Sequence, residues 1–485
     1  MAKRGGCQDA ETEGGTAMTK RLIWCFVFVL SLTAQADQRP NILFIYLDDF
    51  GWKDTGYMGS DFYETPNIDR LAKRGMIFTD AYSTSANCAP ARACLLSGQY
   101  TPRHQIYNVG TRPRGNEKHR RLEHIAGTNK LGLNIITWAE CLKQSGYRTG
   151  MFGKWHLGPS PKAQGFDVVV EHNKIPGMRG HKGKNGEYLT DLLTERTLDF
   201  IGEKSNKPWC AYLSHYAVHT PLQAKNKIIS KYQKKGPGKL HRDPVMAAMI
   251  QSVDEGVGRL VAKLNKSGQR NNTVILFSSD NGGYGPATDM APLYGYKGNY
   301  FEGGIRVPFF VNWPNKIKGG QKTDEPIIGV DLFPTLLDLS GANRPNQLLD
   351  GVSLMPFLLG QVQTVGPRPL FWHFPCYLQS YDVYEEQRDP LFRTRPCSVI
   401  RLGEWKLHEY FEDGALKLFN LKEDIAEQND LAKERPAMVK RLHGLLKSWR
   451  RDTGAIVPKA LNPKFDKESE AKAIHTARLK LRPVE

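Results

Sequence analysis

Uninterrupted apolar runs mark the interior of this chain. Asn41-Ile-Leu-Phe-Ile-Tyr-Leu47, which follows Pro40, is apolar at nearly every position. Alternation would suit a sheet with one wet face; a continuous run predicts a strand covered on both faces, as in a parallel sheet. Asn272-Thr-Val-Ile-Leu-Phe-Ser-Ser279 repeats the pattern, and Tyr147 to Phe152 and Trp209 to His215 also read as strands. Between these runs the spacing becomes helical. Thr65 to Gly75 has Thr65 or Asn67 as cap and Gly75 as stop, and residues 136–146 end on Gly146. Pro244 to Leu264 is long and amphipathic, and Asp331 to Ser340 stops at Gly341. Met76 to Ala81 predicts a short strand. Strands alternating with helices predict an α/β domain.

Beyond a Gly, Gln and Pro-containing connector at 357–369 the pattern changes. Leu370 to Phe374, Cys397 to Leu402, Trp405 to Tyr410 and Lys417 to Asn420 read as short strands with turns, closed by a helix over about Pro436 to Arg450. This predicts a small antiparallel sheet with one helix. The expected divisions are an N-terminal extension and leader at 1–36, a large domain at 37–360, a subdomain at 361–457, and a charged, loosely packed tail at 458–485.

The leader reading rests on three features. Met18-Thr-Lys20-Arg21 is basic, Leu22 to Thr33 is mainly apolar, and Ala34-Gln35-Ala36 is an A-x-A cleavage pattern. The stretch is too short for a resident membrane helix. Residues 1–17 precede the basic region, so Met1 and Met18 are both candidate starts. Export to the periplasm or the extracellular space follows, with no stable membrane insertion. Six cysteines remain after cleavage, too few for a disulfide framework, with Cys376 and Cys397 as the expected pair.

Charge narrows the partners. Lys and Arg total 67 against 50 Asp and Glu, a net +17 that becomes +16 once residues 1–36 are removed. A surplus this large suggests an anionic partner. The basic residues are spread, and the densest run, Arg112 to Arg121, carries no Phe, Trp or Tyr, so nucleic acid is set aside in favour of an anionic substrate.

Candidate chemistry sits at the strand ends. The first strand runs into Asp48-Asp49, and the Asn272–Ser279 strand runs into Asp280-Asn281-Gly-Gly. Three carboxylates and an amide oxygen suit a hard cation, Ca²⁺ or Mg²⁺, rather than Zn²⁺. Lys154 and His156 follow a third strand; two apart, they share a face if the backbone is extended. His215 and His219 flank a turn after a fourth, and Lys297 adds a cation near the same rim. In Asn87-Cys88-Ala-Pro-Ala-Arg92, Pro90 fits a first helical turn, which puts Cys88 at or just before a helix N-terminus with Arg92 one turn on. A buried or disulfide-bonded cysteine is the plainer reading of that residue.

Taken together, these segments resemble the type I sulfatase family of the alkaline phosphatase superfamily. The carriers are Cys88-Ala-Pro-Ala-Arg92 with Leu-Leu-Ser-Gly-Gln-Tyr-Thr-Pro-Arg103 behind it, Leu47-Asp-Asp49, Gly153-Lys-Trp-His-Leu-Gly158, His219-Thr-Pro221, Ser279-Asp-Asn-Gly-Gly283, and Lys297 through Val307-Pro308. Ala91 departs from the serine most often found there. The resemblance implies an alkaline-phosphatase-like domain with a mixed, mostly parallel sheet flanked by helices, plus a smaller C-terminal α+β domain. It also implies that a formylglycine-generating or anaerobic sulfatase-maturing enzyme oxidises Cys88 to Cα-formylglycine, whose hydrate attacks sulfur. Asp48, Asp49, Asp280 and Asn281 would bind Ca²⁺ together with residue 88. Arg92 and Lys154 would hold the hydrate, and His156 would take its second proton. His219 and Lys297 would contact the sulfate and protonate the leaving oxygen.

The nearest rival is a phosphonate or phosphate ester hydrolase of the same superfamily; a non-catalytic binder of sulfated glycans is the rival from another class. A sulfated carbohydrate suits the exported, basic character. In loops that vary within the family, His104, Arg112, His373 and Arg395 are candidate sugar contacts, with a solvated surface residue the plainer reading of each.

Overall fold

The computed structural model describes residues 39–381 and 390–479; the signal-peptide reading of 18–36 lies outside them. The first strand, β1 (Asn41–Leu47), is buried throughout, as its unbroken apolar run predicts. Its alternate residues enter two different cores. Ile42, Phe44 and Tyr46 pack with Leu142, Leu336 and Phe333, while Leu43, Ile45 and Leu47 pack with Ile250, Val257 and Leu260 of the long helix Pro244–Lys266. A strand with helices on both faces can hold no polar residue at either, so its polar groups collect at its ends.

The remaining strands of this sheet are β2 (Met76–Phe78), β3 (Arg148–Gly153), β4 (Val168–Glu171), β5 (Trp209–Ser214), β6 (Thr273–Ser279), β7 (Phe309–Asn312) and β8 (Gln321–Thr323). Their order is β4-β3-β5-β1-β6-β7-β2-β8. Only β7 runs against the rest, pairing antiparallel with β6 and with β2. The sheet is therefore mixed and mostly parallel. The apolar patterns of β1, β5 and β6 predict these strands, and β3 falls where Tyr147 to Phe152 reads as one. The half-exposed β4 and the short β7 and β8 carry no comparable run, and they are legible only from the sheet they complete.

Register positions the chemistry. Leu47 pairs with Ser279, Tyr46 with Ser214, and Ser214 with Gly153. Four neighbouring parallel strands thus end at one level, and the residues after each emerge side by side. Gly153 and Gly282 permit this closeness. A Cβ at Gly153 would lie 1.9 Å from the Ser214 carbonyl oxygen, and one at Gly282 would lie 1.9 Å from that of Gly303. The helix Pro66–Lys73 is capped from a distance. Thr65 and Asn67 were the expected caps, but the Asp254 carboxylate accepts from the Asn67 and Ile68 amides at 2.9 and 2.8 Å.

The second sheet is antiparallel, β9 (Leu370–Phe374), β10 (Cys397–Leu402), β11 (Trp405–Tyr410) and β12 (Leu416–Asn420) in that order, with the helix Pro436–Thr453 packed on it. Asp37–Glu485 forms one compact unit, and the expected junction at 360 falls between the short helix Met355–Leu358 and β9. Two local expectations change. The tail holds a helix, Lys467–Leu479, tied down by Arg395–Glu470 at 2.8 Å and by the Asp466 amide on the Lys118 carbonyl at 2.9 Å. The Cys376–Cys397 bridge is not made: Cys397 faces Phe374 across the sheet, and the Cys376 thiol donates to the Ile125 carbonyl at 3.2 Å. Among the described residues no helix is long and apolar enough to cross a membrane.

Charged residues join the two sheets. The buried Lys406 of β11 reaches Glu302 and Glu427, each at 2.9 Å, and Arg306 lies 3.1 Å from Glu302. Burial would push the Glu302 carboxyl up, but Lys406, Arg306 and Arg401 hold it down at about 2. Removing one partner from such a cluster leaves an uncompensated buried charge. Lys406→Met is therefore expected to cost about 3–5 kcal/mol in urea unfolding, whereas the same change at the exposed Lys440 costs under about 0.5 kcal/mol.

Candidate active site

The sequence of the segment from Asn87 to Gly98 gives a helix, Cys88–Ser97, with every residue buried. Gly98 ends it in the left-handed region (φ 67°), its amide bonded to the Cys94 carbonyl at 2.9 Å. Cys88 is the first helical residue. The Asn87 side chain does not cap the helix but donates to Asn108 Oδ1 at 3.2 Å. Arg92 lies one turn further and is fully buried. Its Nε and Nη2 sit 2.9 and 2.8 Å from Asp280 Oδ2, and Nη1 donates to Ser214 Oγ and to the Lys154 carbonyl.

The ends of β1 and β6 bring the carboxylates together. Asp48, Asp49 and Asp280 are buried, and the Asp49 amide donates to Asp280 Oδ1 at 3.3 Å. Asn281 Nδ2 donates to Asp49 Oδ1 at 2.9 Å, which fixes the amide and turns its oxygen away from that bond. Asp48 Oδ1 and Asn281 Oδ1 are buried oxygens with no hydrogen-bond partner among the described residues. Two such orphans beside three carboxylates fit a hard divalent cation, which takes oxygen ligands.

Cations close the cluster. Lys154, at the end of β3, contacts Asp48 Oδ2, and Lys297 Nζ lies 2.7 Å from Asp49 Oδ2. His219 Nε2 is 3.7 Å from the same Asp49 oxygen, and its Nδ1 donates to the Thr220 carbonyl at 2.7 Å. Ligand atoms of Asp48, Asp49, Cys88 and His219 all lie within 4.8 Å of one another. His156 also neighbours the Cys88 sulfur. It does so by turning rather than by extension: Lys154 is buried, His156 is exposed, and the backbone at His156 has a φ of 67°. Asp49 is also left-handed, at φ 60°. Strained non-glycine residues of this kind persist where the surroundings impose them, as at binding sites.

Electrostatics follow from this packing. Burial would raise the Asp48 carboxyl, but Lys154 first and then His219, Arg92 and Lys297 hold it well below its ordinary range. Asp280 shifts oppositely, pushed up by burial and by Asp48. Burial would lower His219, yet Asp48 and Asp49 outweigh it and raise the imidazole to about 9. Burial would raise the Cys88 thiol; Lys154 and Lys297 pull it well down. An anion at residue 88 is thus held by two lysines.

Every residue expected to bind metal or act on substrate at the core of the site lies in this cluster, that is Asp48, Asp49, Cys88, Arg92, Lys154, His156, His219, Asp280, Asn281 and Lys297. The expected sugar contacts do not. His104 is buried, 3.3 Å from Cys94 Sγ, and His373 is buried between Ser398 Oγ at 2.8 Å and the Ile456 carbonyl at 3.0 Å. Arg395 pairs with Glu412 and Glu470, each at 2.8 Å; Arg112 is exposed. The sequence reading missed Ser214, whose signal was its place as the last residue of a buried strand. It also missed Tyr216, whose ring lies 5.4 Å from Lys154 Nζ and 5.1 Å from the His219 ring.

Known proteins resemble this chain in sequence and in fold. The sequence profile of the Sulfatase family matches residues 40–342, and that of the N-sulphoglucosamine sulphohydrolase C-terminal region matches 294–452. A sulfatase of Formosa agariphila is 32% identical over 85% of this chain and 89% of its own length. The mouse N-acetylgalactosamine-6-sulfatase is 30% identical over 78% and 73%. The crystal structure of Ps i-CgsB in complex with k-i-k-neocarrahexaose superposes with a TM-score of 0.70 at 28% identity, covering 91% of this chain and 98% of that one. The fold is that of the alkaline phosphatase superfamily, and with this site and these relatives the chain belongs to the sulfatase family, enzymes that hydrolyse sulfate esters.

Proposed function

We propose that this sulfatase releases inorganic sulfate from an ester on a sulfated carbohydrate, with residue 88 oxidised from cysteine to Cα-formylglycine and one Ca²⁺ at its carboxylates. The observation that carries the reading is the convergence of Lys154, Lys297, His156 and His219 on Cys88, beside three carboxylates and an orphaned amide oxygen. A thiolate nucleophile alone would need none of those oxygens.

In this reading Cys88 Sγ stands in for the oxygens of the oxidised residue. Once hydrated, that residue supplies one hydroxyl to attack sulfur and a second whose deprotonation expels sulfate, so water never has to attack sulfur again. Asp48, Asp49, Asp280 and Asn281 would hold the Ca²⁺, which supplies a Lewis acid for the charge gathered on oxygen. Arg92, fixed by Asp280 and Ser214, and Lys154 hold residue 88 in place. Lys297 binds a sulfate oxygen, a fixed charge that needs no reorganisation as the S–O bond stretches. His219 donates its Nδ1 hydrogen to Thr220, which leaves Nε2 to deliver a proton to the leaving oxygen. His156, the exposed member, takes the proton from the second hydroxyl and passes it to solvent.

A carbohydrate substrate is supported by the relatives' names and by the net charge of +17, which favours approach of a polyanion. Export through a leader at 18–36 and maturation by a formylglycine-generating or anaerobic sulfatase-maturing enzyme belong to the same reading.

Two measurements test it. Protein made with a competent maturation system should give a residue-88 peptide with the mass of the aldehyde or its hydrate. Cys88→Ala should lower sulfate release by several orders of magnitude at an unchanged melting temperature. An intact thiol in fully active material, or release of phosphate in place of sulfate, would sink the proposal. In a thermal melt independent of activity, Ca²⁺ at a hundred times its Kd should stabilise the protein by about 2.7 kcal/mol over chelated protein. Asp280→Asn should shrink that gain, and a melt indifferent to Ca²⁺ would refute the metal assignment.

A further inference from the structure

His219 is the group proposed to protonate the leaving oxygen, and its own support comes from a residue with no role above. His181 lies in the segment between β4 and the helix Leu189–Gly202, and its side chain is fully buried. Its Nε2 is 2.7 Å from the carbonyl oxygen of His219. A carbonyl only accepts, so this nitrogen carries hydrogen and donates. Nδ1 is then the bare nitrogen of a neutral ring, and it is buried without a hydrogen-bond partner among the described residues. The tautomer is thereby set by the His219 backbone.

His181 is itself held on both sides. Its amide donates to Gln223 Oε1 at 3.0 Å, its carbonyl accepts from Leu189 at 2.9 Å, and the Tyr188 hydroxyl donates to the Gln223 carbonyl at 3.1 Å. The ring of Tyr216 lies 5.0 Å from that of His181 and 5.1 Å from that of His219, and its hydroxyl donates to the Thr220 carbonyl at 3.0 Å. The same carbonyl receives His219 Nδ1 at 2.7 Å. The backbone of the acid is thus fixed through its own carbonyl, and its ring through the next one. What remains is Nε2, turned to the cluster.

We infer that His181 is a positioning residue for proton transfer: by donating to the His219 carbonyl it holds the acid's Nε2 toward the leaving oxygen, without touching substrate. The inference rests on the assignment of His219 as the acid. An acid matters most when the leaving group is a poor one, so a sugar alcohol needs it and a nitrophenolate does not.

The test uses two esters, a monosaccharide sulfate and nitrophenyl sulfate, and three variants of the matured enzyme. His181→Phe keeps a ring against Tyr216 but removes the donor. It should lower kcat on the sugar sulfate roughly tenfold, with KM within about twofold and little change on nitrophenyl sulfate. His181→Gln, whose side-chain amide can donate to the same carbonyl, should recover most of the loss. Equal losses on both esters, or a glutamine variant no better than phenylalanine, would overturn the inference. His219→Ala separates the two layers. If it shows no preference between the esters, the acid assignment itself falls; if it shows the preference and His181→Phe does not, only the positioning role falls. Should the phenylalanine variant not fold, His181→Ala is read by the same ratio of kcat values.

Discussion

Three carboxylates crowded into a dry corner set the terms for this fold. Asp48, Asp49 and Asp280 leave adjacent strands at one level, and the register that covers both faces of β1 leaves them nowhere else to go. Like charges this close repel, and in protein surroundings the repulsion is several times what it is in water. The proton affinity of Asp280 is raised first by burial and then by this repulsion from Asp48. The chain answers with cations from four different segments: Arg92 from a helix start, Lys154 from a strand end, His219 from a turn and Lys297 from a loop. Each must arrive at a buried point, so each segment's path is constrained. Two of the left-handed non-glycine residues, Asp49 and His156, lie in this neighbourhood, where the backbone bends to bring side chains inward.

The strand ends were readable in the sequence because both their signals are local. A seven-residue apolar run names a doubly covered strand, and the polar pair after it has to sit at the sheet's edge. Cys88 to Arg92 was readable for the same reason, since a proline and a helix-forming run fix a helix start within a few residues. What was not readable involves pairs far apart in the chain. Nothing near Thr65 announces that Asp254 caps its helix, and nothing near Lys406 announces Glu302, although the two touch at 2.9 Å. Loop residues misled for the opposite reason. His104, His373 and Arg395 look like surface groups in variable stretches, yet their polar atoms are taken up by Cys94, Ser398, Ile456, Glu412 and Glu470. Cys376 and Cys397 are close in sequence, but register, not spacing, decides which side chains face each other across a sheet.

The second sheet belongs to the same charge problem. Lys297 must hold an ammonium group against Asp49, and its loop runs directly into the short helix that begins at Glu302. That helix start is gripped from the second sheet's side, where Glu427 accepts from the Glu302 amide at 2.6 Å while Lys406 bridges both carboxylates. Arg393 adds a direct hold, donating to the Lys297 carbonyl at 3.2 Å. Arg401 of β10 reaches Asp80 at 2.7 Å, just past the end of β2, so the grip extends back to the main sheet. A buried ion cluster is a poor source of net stability, because desolvation cancels most of its attraction. Its geometry, however, is narrow: Lys406 can satisfy Glu302 and Glu427 together in only one placement of the two segments. The cluster therefore fixes position more than it adds stability, and the position it fixes is five residues from the lysine that faces the site.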